Sequence, residues 1–143
     1  MSAAINETYL VKVVPTLASG ESTAMDRWIP SYLAYQCSAR QHPIAMKIAL
    51  ELLDMQEPDL YIYCKVSPEV AKERLAKRND GNYLDDEAQD FKDKVAQGYE
   101  DFFTGIGSIM STVITLDCDQ SLEVVEKQLH DELLNYIKTK EKA

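Results

Sequence analysis

Residues 58–78 read PDLYIYCKVSPEVAKERLAKR. The first half is a strand: LYIYCKV is an apolar, aromatic and β-rich run of strand length after Pro58, and it predicts a buried strand over roughly 60–66. The second half is a helix whose start has a physical cause. The Ser67 oxygen suits an orphan N–H, Pro68 has no N–H to leave unpaired, and Glu69 suits the positive end of the helix dipole. That helix is expected to reach about Arg78.

Outward from this unit the same alternation continues. Leu10, Val13, Val14 and Leu17 recur at helical spacing and predict an amphipathic helix over about 3–18, closed by Gly20, before a short strand at about 22–26. Ile44, Ile48, Leu52 and Leu53 mark a helix after Pro43. Downstream, a polar break is followed by a helix over about 85–103, TGIGSIMST (104–112) reads as a loop, and TVITL (112–116) is a further strand. Leu122, Val125, Leu129, Leu133 and Ile137 line one face of a C-terminal helix. Strands separated by helices imply a parallel sheet with flanking helices, because parallel neighbours need crossover connections. The expectation is a single α/β domain over 1–143, with residues 79–90 as a lid loop.

Composition limits the function classes. The chain has 143 residues, 45% hydrophobic and 27% charged, which suits an ordinary globular domain. Its net charge of −9 argues against nucleic acid or an anionic membrane surface as partner. The apolar runs are too short to span a bilayer and the N-terminus lacks a signal-peptide layout, so a cytoplasmic protein is expected. Cys37, Cys64 and Cys118 form no C-x-x-C, and Cys64 and Cys118 are expected to be buried reduced thiols. His42 and His130 are too isolated for a His-rich metal site, and no metal site is expected.

Residues 25–36, MDRWIPSYLAYQ, hold the candidate site. Asp26 and Arg27 follow the expected strand 22–26, and open α/β sheets bind ligands beyond the carboxyl ends of their strands. Arg27 offers a planar fork for bidentate phosphate binding, while Asp26 can orient that arginine or hold a metal-bound water. Ser31, Tyr35 and Gln36 add hydroxyl and amide groups within two helical turns. Residue types alone also fit a surface ion pair beside a helix start, with Tyr35 in the core.

The order of residues is more specific. DRWIPSYLAYQ (26–36) resembles the D-R-x-x-x-S-x-x-A-Y-Q signature of thymidylate kinases, nucleoside monophosphate kinases of the P-loop fold. VVPTLASG (13–20), residues 58–78 and KVAQGY (94–99) resemble further family segments in the same order. The resemblance implies transfer of the γ-phosphate of ATP to dTMP, giving dTDP, with Mg2+. Arg27 would bind the acceptor phosphate, Asp26 would stand near the metal and the reacting phosphates, and Tyr35 and Gln36 would border the nucleoside, Gln36 in a position to hydrogen-bond the base, with Ser31 as a further substrate-binding residue. Arg78 would begin the lid near the donor nucleotide. Arg74, four residues earlier on the same helix face, either joins it or is a solvated helix residue.

Departures from the family pattern are also legible. No G-x-x-x-x-G-K-S/T occurs, so nothing here resembles the family's donor-phosphate loop, and the P-loop-kinase-like fold is expected to be incomplete. Met1 and Ile5 stand where the family has an aromatic and an arginine at the base, Tyr32 stands at the base edge, and Asn82-Tyr83-Leu84-Asp85 departs from the lid's D-R-x-E. Met1 aligned within a helix suggests an internal methionine of a longer frame, with a glycine loop expected roughly 60 to 90 residues upstream. The chain alone is expected to be inactive without the missing segment, working as a homodimer or with a complementing P-loop chain. The alternative is a non-catalytic nucleotide-binding or interaction protein.

Overall fold

The computed structural model describes residues 2–55, 57–78 and 87–141. They form two compact units, Met1–Asp59 with Glu87–Ser111, and Leu60–Asp86 with Thr112–Ala143.

The first unit is helical. A helix begins as α1 (Ser2–Thr8), widens to i→i+5 winding over Tyr9–Val13 and ends as α2 (Val14–Ala18), stopped by Gly20 at φ +82°. Its expected apolar face is only partly used. Val13 is buried, whereas Leu10, Val14 and Leu17 are exposed. The expected strand at 22–26 does not form: these residues belong to no sheet, because a strand needs a neighbour and none among the described residues pairs with them. Then come α3 (Ile29–Tyr32), continued by i→i+5 winding over Leu33–Ala39, and α4 (Ala45–Met55). The buried face of α4 is Ala45, Ala49, Leu52 and Leu53, with Ile44 exposed. It is turned by one residue from the large apolar pattern, because alanines allow close helix approach.

The long α6 (Gln89–Thr104) closes this unit by packing along Leu33–Ala39, burying Val95, Phe102 and Phe103. Gly98 makes the approach possible, since a Cβ there would lie 2.6 Å from Ser38 Oγ and 2.9 Å from the Ala34 Cα. TGIGSIMST is not merely a loop: α7 (Ile106–Met110) occupies its middle. Gly107 lets α7 fold back on α6, since a Cβ there would meet the Phe102 ring at 2.7 Å.

The second unit is a two-stranded parallel sheet with helices. β1 (Leu60–Lys65) pairs with β2 (Thr112–Asp117), Leu60 opposite Thr112 and Lys65 opposite Asp117. In chain order three helices among the described residues lie between β1 and β2, the kind of crossover connection that parallel strands require. α5 (Pro68–Lys77) starts as expected, the Val70 N–H donating to Ser67 Oγ at 3.3 Å, and Asp119 Oδ1 accepts from the Ser67 N–H at 2.7 Å. α8 (Leu122–Lys140) packs on β2, where its Gln128 accepts from the Asp117 N–H and donates to the Thr115 carbonyl, both at 3.4 Å. Leu116 is 1% exposed, a burial that contributes about 1.5 to 3 kcal/mol.

β1 is not the buried strand its composition predicted. Tyr61 is buried, but Ile62 is 40% exposed and Cys64 is exposed, because paired positions share a face and only the β2 part of that face, Ile114 and Leu116, is covered. Cys118 is half-buried. Burial and the neighbouring Cys64 thiol push its pKa up. The expected lid loop 79–90 falls mostly on 79–86, outside the described residues, and its end, Gln89 and Asp90, opens α6. The lid departure, Asn82 to Asp85, lies outside them too.

Candidate active site

The chain enters the site through an unusual backbone. Arg27 adopts φ +52°, a left-handed conformation that non-glycine residues avoid at a cost of about 1 to 2 kcal/mol, so its surroundings must hold it there. They do so through a hydroxyl. Arg27 Nη2 donates to the Tyr35 hydroxyl oxygen at 2.8 Å, and its guanidinium carbon lies 5.3 Å from the centroid of that ring. Tyr99 of α6 is the second tyrosine that acts on its charge. Partial burial of Arg27 opposes its charge, but the two tyrosines outweigh it and raise its pKa above the ordinary arginine value, leaving a permanent cation.

Tyr35 sits on the i→i+5 segment, where the Arg40 N–H reaches back to the Tyr35 carbonyl at 3.1 Å. Such wide turns are rare and re-aim side chains. The Tyr35 ring lies tilted against Phe91 with centroids 6.0 Å apart and meets Tyr99 edge-on at 6.5 Å. Arg40 covers the other half of this aromatic group, 5.5 Å from the Phe91 centroid and 4.0 Å from Glu87. Arg27 and Arg40 thus flank one aromatic cluster, a setting suited to an anion with a flat group attached.

Ser31, a further substrate-binding candidate, is 4% exposed, and its Oγ lies 2.7 Å from the Tyr99 hydroxyl oxygen. Gln36 is half-buried, engaged through its own interactions, and its carbonyl accepts from the His42 N–H at 2.8 Å. Asp26 is exposed and makes no hydrogen bond or ion pair with the described residues, so the Tyr35 hydroxyl rather than the neighbouring carboxylate aims Arg27. Tyr32 is turned inward at 6% exposed, and burial, then the Cys37 thiol, push its hydroxyl pKa up. The structure thus brings together Arg27, Ser31 and Tyr35 and adds Tyr99. That tyrosine went unmarked, although it closes the quoted segment KVAQGY.

Arg74 and Arg78 belong to the second unit and do not share a helix face. α5 ends at Lys77, and Arg78 has extended backbone at ψ 134°. Arg74 Nη2 donates to the Gln120 carbonyl at 3.1 Å, and Arg78 is engaged through interactions of its own.

A parallel sheet flanked by helices marks an α/β protein of P-loop-kinase-like fold. The Thymidylate kinase family profile matches residues 1–129. Thymidylate kinases from two strains of Staphylococcus epidermidis are each 32% identical over 140 residues, which is 96% of this chain and 68% of theirs. The chain belongs to the thymidylate kinase family.

Proposed function

We propose that this chain carries the acceptor-nucleotide side of a thymidylate kinase, the phosphotransferase that moves the γ-phosphate of ATP to dTMP and yields dTDP. One observation carries the reading: the Arg27 guanidinium donates to the Tyr35 hydroxyl at 2.8 Å, and Tyr99, from a second family segment, meets the Tyr35 ring edge-on with centroids 6.5 Å apart. Held in this way, Arg27 presents its remaining N–H donors to the dTMP phosphate. Tyr35 and Phe91 offer the flat surface beside it, and the Gln36 amide is the candidate partner for the base.

Mg2+ and ATP come with the family's reaction, for which Asp26 on the metal side and Arg74 and Arg78 on the donor side are the candidates. Among the described residues no three His, Cys, Asp or Glu side chains are grouped to hold a metal ion, and residues 1–143 contain no G-x-x-x-x-G-K-S/T. The described residues suit the acceptor nucleotide, and they group no three ligands for the donor's metal. Donor-phosphate groups from outside residues 1–143, in the same chain, in a second copy or in a complementing one, would complete the reaction. The second reading is a non-catalytic nucleotide-binding protein derived from a nucleotide kinase.

Calorimetric titration with dTMP, run beside a coupled ADP-release assay, tests both readings. Saturable dTMP binding supports the acceptor site, and turnover selects the first reading over the second. No binding of dTMP at millimolar concentration would end both.

A further inference from the structure

The i→i+5 winding of Leu33–Ala39 carries a second arginine to the aromatic cluster. In an α-helix, residues five apart point about 140° away from one another. Here the Arg40 N–H reaches back to the Tyr35 carbonyl at 3.1 Å, and both side chains meet one ring, that of Phe91. The Tyr35 centroid lies 6.0 Å from the Phe91 centroid, and the Arg40 guanidinium carbon lies 5.5 Å from it. Phe91 stands in the first turn of α6, where its N–H donates to the Ala88 carbonyl at 3.0 Å. Glu87 precedes that turn, with its carboxylate 4.0 Å from Arg40 Nη2. Arg40 therefore joins the end of the wide-wound segment to the start of α6, with the Phe91 ring under its guanidinium. An ion pair this exposed contributes little alone, but it steadies a cation that also lies over a ring, and that contact restricts where the ring can go.

We propose that Arg40, steadied by Glu87, is a positioning residue, which holds Phe91 in place as a wall for the nucleoside of the acceptor nucleotide. Arg27 takes the phosphate, whereas Arg40 acts only through the ring. The inference rests on the reading of this cluster as the acceptor-nucleotide site. Its consequence separates the two arginines by ligand. A loosened Phe91 weakens binding of any ligand that carries the base, with or without phosphate, and leaves a sugar phosphate without a base unaffected.

Calorimetric titration of the full chain with dTMP, thymidine and deoxyribose 5-phosphate tests this on wild type, Arg40→Met, Arg40→Lys, Phe91→Leu and the Arg40→Met/Phe91→Leu double variant. Methionine keeps an unbranched stem and removes the charge, and thermal melts establish that each variant is folded. The expected result is about 2- to 5-fold weaker binding of both dTMP and thymidine in Arg40→Met, with deoxyribose 5-phosphate unchanged. Arg40→Lys, which returns a cation to the ring, should restore both affinities to within about 2-fold of wild type. In the double variant Arg40→Met should add nothing to Phe91→Leu. A loss for dTMP without one for thymidine would make Arg40 a phosphate ligand and overturn the proposal. No loss in Arg40→Met while Phe91→Leu weakens both ligands, no recovery in Arg40→Lys, or full additivity in the double variant would overturn it as well. Unchanged binding in Phe91→Leu would remove the wall and the proposal with it, leaving the phosphate reading of Arg27 in place. Failure of the wild type to bind dTMP would remove both.

Discussion

Gly98 of α6 lies so close to Ser38 that a single added carbon would come within 2.6 Å of its Oγ and 2.7 Å of its Cβ. Mid-helix glycine ordinarily weakens a helix by about 1 kcal/mol relative to alanine. Here the approach of the Ala34 Cα, 2.9 Å from the added carbon, reverses that preference, because backbone cannot swing aside. Gly98→Ala is expected to destabilise the chain by about 1 to 2 kcal/mol, read as a lower urea midpoint. A raised midpoint would show that α6 is not held at this distance.

Tyr35→Phe and Asp26→Ala separate the two ways of aiming Arg27. The phenylalanine keeps the ring contacts with Phe91 and Tyr99 but loses the 2.8 Å hydrogen bond, and dTMP affinity is expected to fall about 5- to 10-fold. Asp26→Ala, which removes no bond to a described residue, is expected to change it less than about 3-fold. A larger loss in Asp26→Ala than in Tyr35→Phe would return the orienting role to the aspartate.

Much of this architecture was readable before the coordinates. The Ser67-Pro68-Glu69 start of α5 and both parallel strands are local signals, set by capping chemistry and β-rich runs, and each appears where expected. The failures are matters of partnership. Residues 22–26 have no sheet neighbour among the described residues, and β1 is covered on one side only, which no composition reveals. The glycines of TGIGSIMST resembled a loop, yet Gly107 marks where Phe102 packs against a short helix. At the site, Arg27 and Tyr35 were legible because they lie eight residues apart. Tyr99 was not, since its approach depends on helix packing rather than sequence distance.

Thiol chemistry should follow burial. Cys64 is exposed, whereas burial pushes the Cys37 pKa up and also raises that of half-buried Cys118, next to Cys64. Since the thiolate is the reacting species, alkylation followed by peptide mass spectrometry is expected to modify Cys64 first in the native chain. Equal rates at all three sites, or Cys118 reacting first, would contradict the observed placement of β1.

Asp117 should titrate low. The Gln120 side chain, then the Asp119 N–H, donate to its carboxylate and hold its pKa below the ordinary aspartate value. A lowered folded-state value means that its contribution to stability is present above the unfolded pKa of about 3.9 and is lost as pH falls through the folded one. Carbon-13 titration of the side-chain carboxyl should give a midpoint below the usual range, and Asp117→Asn should abolish it. A midpoint at or above that range would mean that the turn after β2 is not closed in solution.

The central claim is that Arg27 receives the phosphate of the acceptor nucleotide. Nitrogen-15 NMR of the arginine side chains, recorded while dTMP and then thymidine are added, tests it at the atom concerned. The account predicts that the Arg27 guanidinium signals move with dTMP and stay still with thymidine. Unmoved Arg27 signals under saturating dTMP, with the response at Arg40, Arg74 or Arg78 instead, would contradict it.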